Sequence, residues 1–488
     1  MNTLYLFSIL FALIFCNPEK QSNNANCVMM GIPSDPYSID PLFSTDLSSK
    51  KLNQFLFERL FENKKGIFLK SRLIKKHTWK KKNGAWSLNF ELNEIKFSTG
   101  EILTSKDVIF SLNRLRTENS PRRSDYTFIL KFYKDSDKKF SILVDKKNRK
   151  IFELLSNSFS SIYQASSYGK EQIFISTGPY SLKNWNRNDE IQLTRNVFDL
   201  KKNLPQSIVL KVIPQSSTGI FLFKKNILDT LKIPYFLVGE FQRSGASIVK
   251  NKGSSIQYIA INNSNFCFDK NFRKALNYSI DKSLIVTKLL ENHADLVYAS
   301  LPPKYYSGLY RESKKLSYEY NLQQAITLLK KSKCYPEVTK RYFEFRMRGD
   351  DENRAIGLSI QKNLNDLGIH TKILPMEKIQ LYKENGEGKG DLTLLSWFLD
   401  SDSILNYLDP LFSSLNFGNS GNRGFYNNQK IQTTILKARD GKSLSQKELR
   451  DSFDTIEEDA PWIFLWSMDE NYILSEKAKN FTLLKEFL

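Results

Sequence analysis

A chain of 488 residues is too long to close over one hydrophobic core, because cores stop growing near about 250–300 residues, so two or three lobes are expected. Its 41% hydrophobic and 13% aromatic content is that of a folded protein, and past the amino terminus no stretch approaches the ~20 apolar residues of a membrane-spanning helix. The formal charge of +20 comes from lysine pairs spread along the whole chain, among them ENKKG, VDKKNRK, DLKKN and LLKKSK, which reads as a solvated surface and argues against a nucleic-acid partner.

The amino terminus comes first. Leu4 to Phe15 is an unbroken apolar segment, too short to span a bilayer and the right length for the core of an export signal. Cys16 closes it, followed by the polar tether NPEKQSNNAN, and the pattern resembles a bacterial lipoprotein signal in which the cysteine is lipidated. Phe15 stands where such signals usually carry a small residue, so ordinary signal-peptidase cleavage and an uncleaved anchor stay open. Cys27, Cys267 and Cys334 form no CxxC spacing, which excludes a zinc site and a disulfide framework; one pair is possible, with its members undetermined.

The lysine-dense run IKKHTWKKKNG at 74–84 falls between two strand-like segments. Alternation at Trp86, Leu88, Phe90 and Leu92 predicts a half-buried strand, and TSKDVIFSLNRL predicts a helix with Thr104 as N-cap, Asp107 closing a capping box and Val108, Leu112 and Leu115 on one stripe. Gly178 and Pro179 mark a turn ahead of a hairpin, and IQYIAINN at 256–263 is a further strand. Phe272, Ala275, Leu276 and Ile280 lie on a helical face, after which Asp281 caps a second helix. Ile356, Ile360, Leu364 and Leu367 form another stripe, stopped by Gly368 before a strand that begins with Ile369, Thr371 and Ile373. NGEGKG at 385–390 lacks phosphate-loop spacing and reads as a turn before a strand at Asp391. Trp462, Phe464 and Trp466 alternate in a last strand and are assigned to one face of the core. Alternating helices and strands imply α/β layers around mixed sheets.

Catalytic signals are sparse. The three histidines (His77, His293, His370) form neither HExxH nor HxH, and no GxSxG is present. Asp400 and Asp402 pair by proximity in sequence, but alternate positions on a strand face opposite ways, so no two-carboxylate site is built there. No enzyme activity, metal or cofactor is expected.

Taken together, YSIDPLFSTDLSSKKLNQFLFERLFENKKG, IKFSTGEILTSKDVIFSLNRL, STGPYSL with LTRN, FRKALNYSIDKSLIV, LGIHTKI and SWFLDSDS resemble, in order, the family 5 extracellular solute-binding proteins, the oligopeptide and dipeptide receptors of ABC transporters. The resemblance implies an α/β, bilobal, periplasmic-binding-protein-like fold of type II, with an inserted subdomain and a two-segment hinge. Its expected division is a signal at 1–16, a tether at 17–27, lobe I from 28–45, 165–255 and 460–488, the insertion at 46–164 and lobe II at 256–459. It also implies that Asp400, three residues after Trp397, receives the α-ammonium of a short peptide. Ser396 and Phe398 would offer backbone groups to an extended ligand, with Thr45 and Leu47 facing it from the other lobe. The arginines that some peptide binders carry just before the tryptophan are replaced by Leu394 and Leu395, which leaves peptide length open. The expected partners are a peptide, the permease subunits and the membrane that holds the lipid anchor, with the receptor itself a monomer on the periplasmic or outer side. A non-peptide solute such as a sugar, a nickel chelate or haem, and a surface adhesion role, are the alternatives.

Overall fold

The structure, a computed structural model, describes residues 26–44, 46–64, 67–82, 84–118, 126, 128–147, 150–169, 174–253, 255–303, 309, 318–398, 404–418, 421–440, 442, 444–481, 484 and 488. Cys16, Thr45, Asp400 and Asp402 lie outside the described residues.

The chain opens with β1 (Cys27–Ile32), a hairpin of β2 (Phe61–Lys64) and β3 (Ile67–Lys70), and four antiparallel strands, β4 (Ile74–Lys82), β5 (Ala85–Leu92), β6 (Ile129–Ser136) and β7 (Lys139–Val144). It continues through β8 (Tyr180–Asn186), β9 (Glu190–Arg195), β10 (Ser207–Val212), β11 (Thr230–Ile233) and β12 (Ser247–Asn251). There follow β13 (Ile256–Ile261), β14 (Ala294–Leu296), β15 (Tyr342–Arg348), β16 (His370–Met376), β17 (Leu392–Trp397), β18 (Trp462–Met468) and β19 (Glu470–Leu474). One mixed sheet has the order β12-β19-β11-β1-β10-β9-β8, and a second has β14-β18-β13-β17-β15-β16. The four-stranded sheet, ordered β4-β5-β7-β6, stands apart from both.

Local chemistry accounts for many of these elements. Ahead of the helix Ser105–Thr117, the Asp107 carboxylate accepts from the Thr104 backbone N–H at 3.0 Å and from its hydroxyl at 2.6 Å, which occupies a helix-end donor. Its other oxygen accepts from the Ala165 N–H at 2.9 Å, so one side chain both starts the helix and fastens it to a distant segment. Val108, Leu112 and Leu115 are buried in one core with Leu88 and Phe140 of the four-stranded sheet. The helices Lys270–Ser279 and Asp351–Asp366 bury their expected stripes, and Asp281 accepts from the Leu284 N–H at 2.8 Å.

Several expectations are corrected. The lysine run, between β3 and β5 in the chain, is itself a strand, β4, an edge strand whose exposed lysines oppose pairing with another sheet edge. The helix Leu47–Leu56, expected in the insertion, buries Leu52, Phe55 and Leu56 with Val28 and Tyr180 of the first sheet's core. β18, expected in lobe I, belongs to the second sheet, where it pairs with β13. Trp462 and Phe464 share a core cluster on one face, stacked at 3.7 Å between the Trp462 and Tyr258 rings, but Trp466 packs in the cluster on the other face with Ile463 and Leu465. The register shift between Gln257 and Tyr258 is the cause, because an extra residue in a ladder turns the following side chain to the opposite face.

The two sheets are joined at two crossings. Residues 252–255 link β12 to β13, and Asp469 alone links β18 to β19. A Cβ on Gly253 would lie 1.9 Å from the Met468 carbonyl oxygen, so the close approach of the crossings needs glycine there. The fully buried Asp469 carboxylate meets Lys250 Nζ at 2.8 Å and Lys252 Nζ at 3.5 Å, while Lys252 also meets Asp295 at 2.7 Å.

Cys267 and Cys334 form the one disulfide among the described residues, closing a separation of 67 residues across the second lobe, while Cys27 is free. Replacing both bridged cysteines by serine should lower the unfolding free energy by about 2–4 kcal/mol, measured by chemical denaturation, with Cys27→Ser as a control that leaves it unchanged. Equal stability of the double variant and the parent would refute this.

Candidate functional site

Between the two large sheets lies a cleft of about 1350 Å³. It sits at carboxyl ends of strands, where open α/β sheets place ligands: Gly31 and Ile32 end β1, Arg348 ends β15, and Ser396 and Trp397 end β17. The first lobe adds Leu47, Lys51 and Phe55 from one helix, Lys232 from β11 and Tyr472 from β19. The second lobe adds Glu352, Asn353, Tyr382, Arg423 and the Asp409–Arg439 pair, joined at 2.6 Å.

β17 is asymmetric at this point. Its ladder with β13 runs from Leu392 opposite Ile261 to Trp397 opposite Ile256, whereas on its other side β15 pairs only with Leu392 and Thr393. From Leu394 onward β15 no longer pairs with that edge, and Leu394 to Trp397 line the cleft. Leu394 and Leu395 are buried, Ser396 and Trp397 are half-buried, and Phe398 is exposed on the wall. Leu47 lies on the opposite wall. The structure thus brings Ser396, Trp397, Phe398 and Leu47 to one cleft, with Thr45, Asp400 and Cys16 outside the described residues.

Three features of the wall carry no sequence motif. Burial pushes the Tyr382 phenol up, and the guanidinium groups of Arg423 and Arg348, with a hydrogen bond from the Ser396 backbone, pull it partly back. Burial and the neighbouring Asp350 push the Glu352 carboxyl up, while Lys232 of the opposite lobe and Arg348 pull it down, so the charges of the two lobes feel each other across the cleft. Lys51 donates to the Tyr472 hydroxyl and, at 3.1 Å, to the Leu488 carbonyl oxygen. These residues sit in segments whose apolar spacing predicts only helix or strand, and Arg423 in one that reads as turn, which is why sequence reasoning passes over them.

The fold is the bilobal α/β architecture of the type II periplasmic binding proteins. The chain belongs to the bacterial extracellular solute-binding proteins, family 5, whose model (family 5 Middle) matches residues 70–419. That family supplies the extracytoplasmic receptors of ABC importers, which are transport components and not enzymes. Among curated relatives, the Heme-binding protein A of Haemophilus influenzae is 24% identical, covering 91% of this chain and 88% of its own. The Oligopeptide-binding protein AppA of Bacillus subtilis is 22% identical over 98% of this chain and 96% of its own, and its structure with a nonapeptide superposes with a TM-score of 0.76, 20% identity and coverage of 94% and 98%. NikZ from Campylobacter jejuni, solved with Ni(L-His), gives a TM-score of 0.78 at 20% identity, covering 93% of this chain and 94% of its own.

Burial, partly offset by Glu470 and reinforced by Lys232, pushes the Lys51 amine down from its ordinary 10.5 to about 8. Between those values the unfolded chain binds the proton that the folded one has lost, so this group's contribution to stability rises with pH from about 8 to 10.5. The stability advantage of Lys51→Met over the parent should accordingly fall by about 3 kcal/mol across that window in denaturation series. A difference independent of pH would show that the amine is not held in this way.

Proposed function

We propose that this protein is a lipid-tethered receptor that captures short peptides between its lobes and delivers them to the permease of an ABC importer. The carrying observation is the far end of β17, which β15 stops pairing with after Thr393 and which lines a cleft that spans both lobes. An extended peptide is a solute that satisfies such an edge, because its main chain supplies alternating donors and acceptors whatever its side chains. The volume of about 1350 Å³ exceeds the roughly 300–1,000 Å³ of pockets for drug-sized ligands, which favours an elongated guest.

Asp400 is the anchor in this reading. It follows Trp397, the last residue of β17, by three residues, and its carboxylate would meet the ligand's α-ammonium group. Closure then follows from differential affinity: the ligand touches both lobes only in the closed state, and so selects it. The tether is supported by Leu4–Phe15 followed by Cys16, and among the described residues no helix is long and apolar enough to cross a membrane. A second reading keeps the fold and the importer but exchanges the peptide for another solute, supported by the relatives named for heme and solved with nickel-histidine.

Native mass spectrometry of the chain from residue 28 onward, purified without unfolding, should reveal co-purifying short peptides. Asp400→Asn should weaken binding of peptides with a free amino terminus about tenfold to a hundredfold, as loss of a charge-assisted hydrogen bond would, and leave amino-acetylated peptides unaffected. If titration calorimetry gives the same loss for both, Asp400 is not the ammonium anchor. A single co-purifying non-peptide mass would favour the second reading.

A further inference from the structure

We infer that Arg423 is the cleft's carboxylate clamp, so that the favoured ligands are peptides presenting a carboxylate opposite their ammonium end; this rests on the peptide reading above. The basic side chains of the wall are mostly committed. Lys51 bonds Tyr472 and Leu488, Lys232 meets Glu470 at 2.9 Å, Arg348 meets Asp350 at 3.2 Å, and Arg439 is held by Asp409. Arg423 and Lys378 differ: among the described residues neither makes an ion pair, but Lys378 is an exposed side chain at the start of a helix, whereas Arg423 is half-buried and held in place. Its guanidinium lies 4.5 Å from the centre of the Tyr382 ring and gives one hydrogen bond, from Nη1 to the Tyr382 carbonyl oxygen at 3.1 Å. A guanidinium carries five N–H donors in a fixed fork, so most of its hydrogen-bonding capacity is left for a partner, and a carboxylate fits that fork with two parallel bonds.

The position of Arg423 is fixed by its loop. The fully buried Asn422 donates to the Ser413 carbonyl at 3.1 Å and to the Tyr426 carbonyl at 2.7 Å, and accepts from the Tyr426 N–H at 3.1 Å. On the other side of Arg423, the Gly424 carbonyl accepts from the Asn263 backbone N–H at 2.9 Å and its side chain at 2.8 Å. Gly421, at φ +137° and with any Cβ placed 2.4 Å from the Pro410 carbonyl oxygen, fits only as glycine. An irregular segment held on both sides in this way presents a pre-organised cation, and pre-organisation lowers the cost of binding. Tyr382 lines the same cleft as Ser396 and Trp397 of β17, and its ring lies beneath the guanidinium. The leucines at 394 and 395 remove the arginines that some peptide binders carry there, and Arg423 supplies a cation from a different loop of the same lobe.

The carboxylate comes from the peptide's carboxyl terminus or from an acidic side chain, and three pools of short synthetic peptides separate the two sources. One lacks Asp and Glu and has free carboxyl termini, the second is the same pool amidated, and the third is amidated but contains Asp and Glu. Binding is measured for the parent, Arg423→Gln and Arg423→Lys by native mass spectrometry and calorimetry, with thermal unfolding as a check on folding. The parent should bind a carboxylate-bearing pool about tenfold to a hundredfold more tightly than the second, and Arg423→Gln should bring that pool down to the level of the second while leaving the second unchanged. Arg423→Lys should recover part of the loss, since it keeps the charge without the fork. Preference for the first pool assigns the clamp to the carboxyl terminus and preference for the third to a side chain. Equal binding of all pools by the parent overturns the clamp and leaves the peptide receptor standing, and an equal loss for all pools in Arg423→Gln overturns it in favour of a structural role for Arg423. Failure of the parent to bind any pool overturns both readings.

Discussion

Everything this molecule does with a solute passes through two crossings that lie against each other. Asp469 by itself carries the chain from the second sheet to the first, and Gly253 presses its backbone against Met468 at the end of the same strand. Two sheets joined at such short links can rotate relative to each other but cannot drift apart, which is the mechanical requirement of a hinge. Burying the Asp469 carboxylate would cost several kcal/mol if it were alone, and Lys250 and Lys252 offset that by bringing opposite charge within ion-pair distance. Because Lys252 also holds Asp295 of the second lobe, the same cluster ties the crossing to the body it turns against.

The cleft inherits its character from this arrangement. Strand ends from both sheets meet where the crossings hold them, so backbone that would otherwise be capped by a neighbouring strand is left to face a space. Around that space the charges are largely used up within each lobe, and a ligand therefore meets a wall with few uncommitted groups. On the proposed peptide reading, selectivity comes from those few groups and from main-chain pairing, not from bulk hydrophobicity. The stacking of Arg423 on Tyr382 places a cation in the same cleft that the end of β17 lines.

Much of the fold was legible because its signals are short in range. Thr104 and Asp107 act within one helical turn, and the stripes at Val108–Leu112–Leu115 and Ile356–Ile360–Leu364 are periodic whatever lies across from them. Less legible was anything settled by a partner far along the chain. The run from Ile74 looked like a charged connection until its pairing with β5 made it an edge strand. Trp466 alternates perfectly with Trp462 and Phe464 in sequence, and a single bulge against β13 sends it to the other core. Of the candidate site, Ser396, Trp397, Phe398 and Leu47 were readable from a resemblance of segments, whereas Tyr382 and Arg423 have no motif and emerge only when the walls are assembled.

By itself the sequence determined the alternation of helices and strands, the capped starts and glycine stops, the export-signal pattern and the scarcity of catalytic groupings, since each depends on residues within a few positions of one another. Tertiary structure decided which strands became neighbours, that Cys267 would find Cys334, which core the helix Leu47–Leu56 joined, and that Arg423 would stack on Tyr382 in the cleft. The reason is physical. Local hydrogen bonding and side-chain periodicity act over a turn or a pleat, but register, closure and charge pairing are settled by burial shared between segments hundreds of residues apart.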